Sequence, residues 1–408
     1  MFPALSFHVV GVSHHTAGVQ VREPLAFTAA DTSGLLAEHH AAGRTALLLS
    51  TCNRTELYWT GERDLEPWFR ELSMARGADV TGALTRLDGG GAVRHLFTVI
   101  AGLDSQILGE SEILGQVRRA GELARAAGTT CRDMEMIFAA AVGAGRRVRR
   151  ETGLGRHPQS VSSASVRLGL SIASAAPRVL VIGAGEAAEG VLRALGEQRI
   201  GQVMLVNRNP ERAAALAGTW GIEIRPWSEL PALLGQADLC FVATGATRPF
   251  VSKAMLARAR EGAARELVVM DLAVPRNVEP EARAVPGVRL LDLDDLQRLA
   301  CPASDGTVAS MGLARAEQIL LEEMARLDLA LRGRAIAPRL SELHRVGAEL
   351  AERESAWALA RLEGLDERER QVVREMAQRL VRRVLYPVSR SIRLDEASEG
   401  ETDEPLTA

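Results

Sequence analysis

The chain has 408 residues, of which 47% are apolar and 25% charged, with a formal net charge of −3. That length predicts two or three domains, and the mix excludes extended disorder and collagen-like structure. A globally basic nucleic-acid binder is excluded as well, and only 4% of residues are aromatic, so any RNA contact rests on a local patch rather than on a base-stacking surface.

Residues 1–150 read as mixed α and β. A strand is predicted over 7–12, a helix over 35–40 and a short buried strand over 46–49. That strand runs into the polar segment Ser50-Thr51-Cys52-Asn53-Arg54-Thr55-Glu56, after which 57–59 resume an apolar run. From 92 to about 150 the pattern is helical, with weak points at Gly102 and Gly109. His157-Pro158-Gln159-Ser160 then punctuates the chain. Beyond it a helix is predicted over 161–173. Apolar runs of strand length follow at 178–182, 203–206, 239–242 and 267–270, with helical patches between them. Strands alternating with helices imply a parallel, doubly wound sheet.

From about residue 310 the register changes. Leu313, Ala316, Leu320, Met324, Leu327 and Leu331 recur at spacings of three and four, one face of a long helix. Gly333 and Pro338 are expected to end it. A second helix would begin at Pro338, where the missing N–H costs nothing. A third would open at Asp366 with Glu369 as its capping-box partner. The acidic tail after Asp395 is expected to be disordered.

The four cysteines, at 52, 131, 240 and 301, form neither a disulfide framework nor a zinc motif. The chain therefore reads as reduced and cytoplasmic. The N-terminus shows no signal peptide, and no apolar run is long enough to span a bilayer. Lys253 is the one lysine, which leaves Schiff-base and P-loop chemistry almost without a candidate. His14 and His15 look like a metal pair only superficially, because adjacent side chains are expected to point apart; no metal is assigned.

Residues 179–188 contain a strand followed by Gly183-Ala184-Gly185-Glu186-Ala187-Ala188, a GxGxxA turn opening a helix. Gly183 permits the tight turn, Gly185 lets the backbone approach a pyrophosphate, and Ala188 allows close helix–strand packing. The helix N-terminus offers N–H groups to the phosphates. The second strand ends in Val206-Asn207-Arg208-Asn209, with no carboxylate for a ribose 2′-hydroxyl. Asn207 and Arg208 suit a 2′-phosphate, with help from Arg212, so NADPH is preferred over NADH. Thr244-Gly245 and the run from Asp271 to Arg276 each follow a strand and are candidates to flank the nicotinamide.

Cys52 stands out among the cysteines, because it follows a buried strand in a polar loop beside Arg54. A neighbouring cation and loop N–H groups favour thiolate, and a thiolate converts an activated acyl group to a thioester. With a hydride donor in the same chain, thioester reduction to an aldehyde becomes available.

Four segments resemble the glutamyl-tRNA reductase family. They are Gly11-Val12-Ser13-His14-His15-Thr16-Ala17; the stretch from Ser50 to Glu56; the stretch from His95 through Gly102-Leu103-Asp104-Ser105 and Gly109-Glu110-Ser111-Glu112 to Gln116; and the run from Asp271 to Arg276. The resemblance runs from about 8 to about 390. It implies an α/β plus α+β protein: an α+β catalytic domain over 1–157, a Rossmann NADPH domain over 158–305, and a linking helix with a helical dimerisation domain over 306–394, ahead of an acidic tail over 395–408.

By resemblance, Cys52 attacks the glutamyl ester of tRNA(Glu), and NADPH reduces the thioester to glutamate-1-semialdehyde. This is the first step of five-carbon tetrapyrrole synthesis. His95 matches the histidine needed for activity. Thr51, Asn53, Arg54, Ser105, Glu110, Ser111, Glu112 and Gln116 match the glutamyl pocket, where Arg54 suits the substrate carboxylate. A homodimer is implied, V-shaped, with cofactor and thiol far apart and a hinge motion before hydride transfer. The labile aldehyde makes a transient complex with glutamate-1-semialdehyde aminomutase an expectation.

Ile100, Gln106 and Tyr386 depart from the family pattern, and Glu112 stands where glutamine is common. For tRNA, the run Arg146, Arg147, Arg149, Arg150 and Arg156 reads either as a phosphate-binding patch or as a solvated helix face. Arg379, Arg382 and Arg383 are a second candidate. Two rivals are a thiol-independent NADP oxidoreductase acting on a free small acid, and a non-catalytic sensor that binds cofactor without turnover.

Overall fold

The computed structural model describes residue 2 and residues 5–105, 112–152, 154, 160–198, 200, 202–300 and 308–398. The chain divides into two compact units, residues 6–321 and residues 322–408 with the first five.

The first unit opens with an antiparallel sheet of β1 (Phe7–Ser13), β2 (Leu47–Ser50), β3 (Arg54–Thr60) and β4 (Thr85–Asp88), in the order β2-β3-β1-β4. Strand β3 is buried along nearly its whole length, which fits a central position. It begins at Arg54, inside the segment read from sequence as polar, because Arg54 and Glu56 are buried with paired charges. Helices α1 (Val19–Arg22), α2 (Ala29–Ala41) and α3 (Glu66–Ala75) come from the strand connections. Three further helices follow: α4 (Gly89–Ile100), α5 (Glu112–Ala126) and α6 (Arg132–Thr152). Of these, α4 packs on β1 and α6. The expected break at Gly102 is present, with Gly102 at φ +73°. Gly109 lies outside the described residues. A break around Gly128, also at positive φ, separates α5 from α6.

The same unit continues with α7 (Val161–Ile172) and a parallel sheet of β5 (Arg178–Ile182), β6 (Gln202–Val206), β7 (Glu223–Ile224), β8 (Leu239–Val242), β9 (Leu267–Asp271) and β10 (Val288–Leu291). The order is β10-β9-β8-β5-β6-β7, doubly wound as predicted. Helices α8 (Glu186–Glu197), α9 (Pro210–Trp220), α10 (Leu230–Gln236), α11 (Lys253–Ala259) and α12 (Leu293–Ala300) complete it. The period-2 pattern of a strand divides each apolar run between two faces. Val179 and Val181 join one core cluster, while Leu180 and Ile182 join the other.

Helix α13 (Val308–Leu359) is continuous through Gly333 and Pro338, which corrects the expected break. A proline inside a helix removes one hydrogen bond and crowds the carbonyl four residues back. Here the flanks are rich in Ala, Leu, Arg and Glu, which favour helix over the rest of the 52 residues. In the second unit, α14 (Glu367–Ser398) starts at the predicted capping box. The Glu369 N–H donates to Asp366 Oδ1 at 2.8 Å, and the Asp366 N–H donates to Glu369 Oε2 at 2.9 Å. Gly347 lets α13 and α14 approach closely, since a Cβ there would lie 2.5 Å from Leu385 Cδ1. Helix α14 extends through Ser398, so residues 395–398 are helical rather than the start of a disordered tail; the rest of that tail lies outside the described residues. Val372, Met376, Leu380, Val384 and Val388 form an exposed apolar stripe at a spacing of four along α14.

Candidate active site

Thr51, Cys52 and Asn53 form the three-residue connection between β2 and β3. The Thr51 N–H donates to the Arg54 carbonyl at 2.9 Å, and Thr51 Oγ1 accepts from the N–H groups of Asn53 and Arg54 at 3.1 and 3.2 Å. The hairpin is pinned from outside as well. The His14 N–H donates to the Asn53 carbonyl at 2.8 Å. Arg22, only 2% exposed, donates through Nη1 to the carbonyl of Cys52 itself. Cys52 is half-buried, and its side chain packs against the apolar cluster beneath the parallel sheet. The nucleophile candidate and the Rossmann layer are therefore in contact.

Behind the hairpin lies a buried charge cluster. Arg54, Glu56 and Tyr58 alternate along β3 and so share one face. Arg54 Nη1 donates to Glu56 Oε1 and to Asp104 Oδ2, both at 2.8 Å, and Nη2 donates to the Asp104 carbonyl. Tyr58 Oη donates to Glu56 Oε2 at 2.6 Å, and His95 Nε2, on α4, lies 2.9 Å from Glu56 Oε1. Gly11 makes the space for this: it pairs with Glu56 across β1 and β3, and a Cβ there would lie 2.3 Å from the Thr55 carbonyl oxygen and 2.9 Å from Glu56 Cγ.

The electrostatics follow from this packing. Burial opposes ionisation of Glu56, but Arg54 and His95 outweigh it and hold the carboxyl far below the usual range. Burial likewise opposes a charged His95, yet the Glu56 carboxylate prevails and raises its pKa. His14 goes the other way: burial first, then His15 and Arg54, lower it to about 4. The rings of His14 and His15 lie 3.9 Å apart between centroids with their planes tilted by 39°, so these neighbours meet instead of pointing apart. His15 Nε2 is also 3.1 Å from Asp104. Among the described residues there is no group of three or more His, Cys, Asp or Glu arranged to hold a metal ion.

The Gly-rich turn fits a dinucleotide. Gly183 sits at φ +120°, and a Cβ there would lie 2.1 Å from the Ala243 carbonyl oxygen. Gly185, by contrast, faces open space at the N-cap of α8, and no side chain caps that helix. Ala188 is fully buried against the sheet. The start of α8 thus presents backbone donors and the positive end of the helix dipole to an anion. Asn207 Nδ2 donates to the Asn209 carbonyl at 2.8 Å. Arg208 is exposed at the end of β6, its guanidinium 5.1 Å from the Trp227 ring centroid and 5.4 Å from that of Phe250. Thr244 and the 271–276 run lie beyond the carboxyl ends of adjacent strands. Thr244 Oγ1 donates to Oδ1 of Asn277, the residue that follows that run, at 2.5 Å. Asp271, whose carboxyl burial pushes up to about 7, accepts from the N–H groups of Ala273, Asn277 and Val278 and so shapes that run.

The other predicted residues fall in several places. Thr51, Asn53, Arg54 and His95 belong to the hairpin and its charge cluster. Ser105 ends the turn after α4, half-buried. Glu112 and Gln116 lie one turn apart on α5. Glu112 shares a groove with Glu186 at the start of α8, and burial, then Glu186, raises its carboxyl. Arg119 on α5 pairs with Glu186 at 3.1 Å. Glu110 and Ser111 lie outside the described residues, as do Gln106 and Arg156. In the basic run, Glu151 pairs with both Arg147 and Arg150, and with Arg315 as well. Sequence reasoning left Glu56, Tyr58, Asp104 and Arg22 out of the site. The available signal was the alternation Arg54, Glu56, Tyr58 in an otherwise apolar strand.

A cysteine on a pinned hairpin, packed against a doubly wound dehydrogenase layer with a phosphate-type glycine turn, defines an oxidoreductase that uses a nicotinamide cofactor. Comparison with known proteins makes this particular. Residues 10–152 match the model of the glutamyl-tRNAGlu reductase N-terminal domain, 167–299 that of shikimate/quinate 5-dehydrogenase, and 315–408 that of the glutamyl-tRNAGlu reductase dimerisation domain. The chain is 35% identical to glutamyl-tRNA reductase of Thermomicrobium roseum over 95% of both chains. It is 37% identical to glutamyl-tRNA reductase 2 of Anaeromyxobacter dehalogenans, over 98% of this chain and 90% of that one. Among solved structures, glutamyl-tRNA reductase from Methanopyrus kandleri matches 96% of this chain and 99% of its own at 27% identity, with a TM-score of 0.46. The chain belongs to the glutamyl-tRNA reductase family, which carries out the first step of tetrapyrrole biosynthesis. Its dimerisation domain supports a homodimer, and no helix among the described residues is long and apolar enough to cross a membrane.

Proposed function

We propose that this protein reduces glutamyl-tRNA(Glu) to glutamate-1-semialdehyde, with NADPH as reductant and Cys52 as the acyl carrier. The observation that carries this reading is Cys52 at the tip of a pinned hairpin, in contact with the Rossmann layer. The Cys52 sulfur attacks the glutamyl carbonyl carbon, a C–S bond forms, and the ester C–O bond to the tRNA ribose breaks. The leaving ribose oxygen takes a proton. In this reading His95, whose pKa Glu56 raises, supplies it from Nδ1, the ring nitrogen that Glu56 leaves. Gly183 to Ala188 hold the cofactor's pyrophosphate, while Asn207 and Arg208 receive a 2′-phosphate. NADPH bound there would supply the hydride for reduction of the thioester to the aldehyde. The residues of this chain keep the acyl carbon fixed on the hairpin and take the sulfur back as the C–S bond breaks.

Arg54 is 1% exposed and already holds two carboxylates. A substrate carboxylate reaches it by displacing Asp104, the more exposed of its two partners. Ser105, Glu110, Ser111, Glu112 and Gln116 complete the glutamyl pocket in this reading. The exposed stripe on α14 pairs with a second copy. The labile aldehyde passes to glutamate-1-semialdehyde aminomutase in a transient complex, in the cytoplasm where charged tRNA is made.

The test mixes wild-type and Cys52→Ser protein with NADPH and glutamyl-tRNA(Glu) and follows the absorbance of reduced nicotinamide. Oxidation that requires both the charged tRNA and Cys52 is the expected result. Oxidation that survives Cys52→Ser contradicts the thioester route.

A further inference from the structure

The short segment after β1 touches both the nucleophile and the Rossmann layer. Arg22 and Glu23 are adjacent and opposite in charge, and each meets its complement across the contact. Arg22 Nη2 donates to Asp294 Oδ1 at 2.5 Å, and the Val19 N–H donates to Asp294 Oδ2 at 2.8 Å. Arg276 grips Glu23 from two side-chain nitrogens, Nε to Oε1 at 2.7 Å and Nη2 to Oε2 at 2.9 Å, and its backbone N–H adds a bond at 2.6 Å. All four side chains are at most one-quarter exposed. Water screens such pairs less than it screens surface pairs, and bidentate geometry adds directional preference.

The segment is tied as firmly to the hairpin. Arg22 donates to the Cys52 carbonyl through Nη1 and to the Ala17 carbonyl through Nε. Thr55 Oγ1 donates to the Leu25 carbonyl at 2.8 Å. On the other side, the buried Asp271 carboxyl fixes the backbone that presents Arg276. One guanidinium thus bonds both to the nucleophile's own backbone and to a carboxylate of the cofactor-binding layer.

We propose that Arg22–Asp294 and Glu23–Arg276 form a crossed clamp that seats the Rossmann layer on the nucleophile hairpin. The clamp serves the reduction step rather than acyl transfer. Its residues are positioning residues: they bring the acyl carbon on Cys52 and the cofactor layer together and fix the hairpin in that seat. Acyl transfer from a tRNA needs the hairpin open to a large substrate, so it does not need the clamp. The inference about the reduction step rests on the proposed reductase reading; the seating of Cys52 does not.

Two readouts keep the two apart. The first needs no substrate: alkylation of Cys52 by iodoacetamide, followed by peptide mass spectrometry. Glu23→Arg sets two guanidinium groups against each other and should raise the Cys52 alkylation rate about tenfold, equivalent to about 1.4 kcal/mol of seating free energy. The swap Glu23→Arg with Arg276→Glu should bring it back to within about threefold of wild type, the signature of a direct pair in a mutant cycle. The second readout separates half-reactions. Release of tRNA without NADPH should proceed at least as fast as in wild type in Glu23→Arg. Aldehyde formation after NADPH is added should fall about tenfold and recover in the swap. Unchanged alkylation, or a swap that restores nothing, overturns the clamp. Equal losses in both half-reactions overturn its assignment to reduction. If wild-type protein releases no tRNA while alkylation responds as expected, the reductase reading falls and the clamp stands.

Discussion

Replacing Glu56 with Gln tests the buried cluster behind the nucleophile. The carboxylate is almost fully buried and accepts from Arg54, His95 and Tyr58 at 2.8, 2.9 and 2.6 Å. Glutamine keeps the shape and one acceptor oxygen but removes the charge. Breaking a buried ion pair costs about 3–5 kcal/mol because the surviving charge stays buried. Arg54 keeps Asp104 as a partner, so the lower end applies, and Glu56→Gln should lose about 3 kcal/mol in urea unfolding of the intact protein. His95 reports independently. Burial lowers its pKa and Glu56 raises it, so in the variant its titration, followed by NMR of the ring protons, should move down from the wild-type position. A variant within about 0.5 kcal/mol of wild type, with His95 titrating as before, would refute the reasoning.

Tyr58→Phe removes one bond to the same carboxylate and should cost about 1.5–3 kcal/mol, measured in the same urea assay. The His95–Glu56 pair also gives a pH signature. With the folded pKa of His95 above its ordinary value of 6.5, the stabilisation is fully present below 6.5 and is lost as pH rises through the raised value. The stability gap between wild type and His95→Gln should therefore narrow with rising pH, and a widening gap contradicts the assignment. Gly183→Ala places a Cβ against a backbone carbonyl at φ +120°. It should cost more than about 1 kcal/mol and abolish nicotinamide binding followed by fluorescence titration. Arg208→Leu should weaken NADPH about ten- to a hundredfold while leaving NADH nearly unchanged. That corresponds to the roughly 1.5–3 kcal/mol of a charge-assisted contact; equal losses for both cofactors would remove Arg208 from 2′-phosphate recognition.

The doubly wound layer was legible because its strands are apolar runs bounded by Gly-rich turns, and β5, β6, β8 and β9 lie close to where those runs predict. Strands β4 and β7 were not legible. The first, Thr85–Asp88, alternates in burial with little apolar content, and the second has only two residues. Pro338 misled because a local rule for helix breaking was outweighed by the propensity of fifty surrounding residues. At the site, Cys52 and the glycine turn announced themselves through local chemistry. Glu56, Asp104 and the Arg22–Asp294 pair did not, because their meaning lies in contacts across 30 to nearly 300 residues of sequence, which no spacing rule reaches. Even the alternation Arg54, Glu56, Tyr58 becomes informative only once β3 is known to be central and buried.

The most direct test of the central claim is peptide mass spectrometry on protein incubated with glutamyl-tRNA(Glu) in the absence of any nicotinamide and quenched in acid. Without a hydride donor the acyl group should accumulate on the enzyme, and its mass should be found on the peptide containing Cys52 and disappear when NADPH is added before the quench. A glutamyl group on another residue, or no acyl-enzyme while added NADPH still yields aldehyde, would contradict the role given to Cys52.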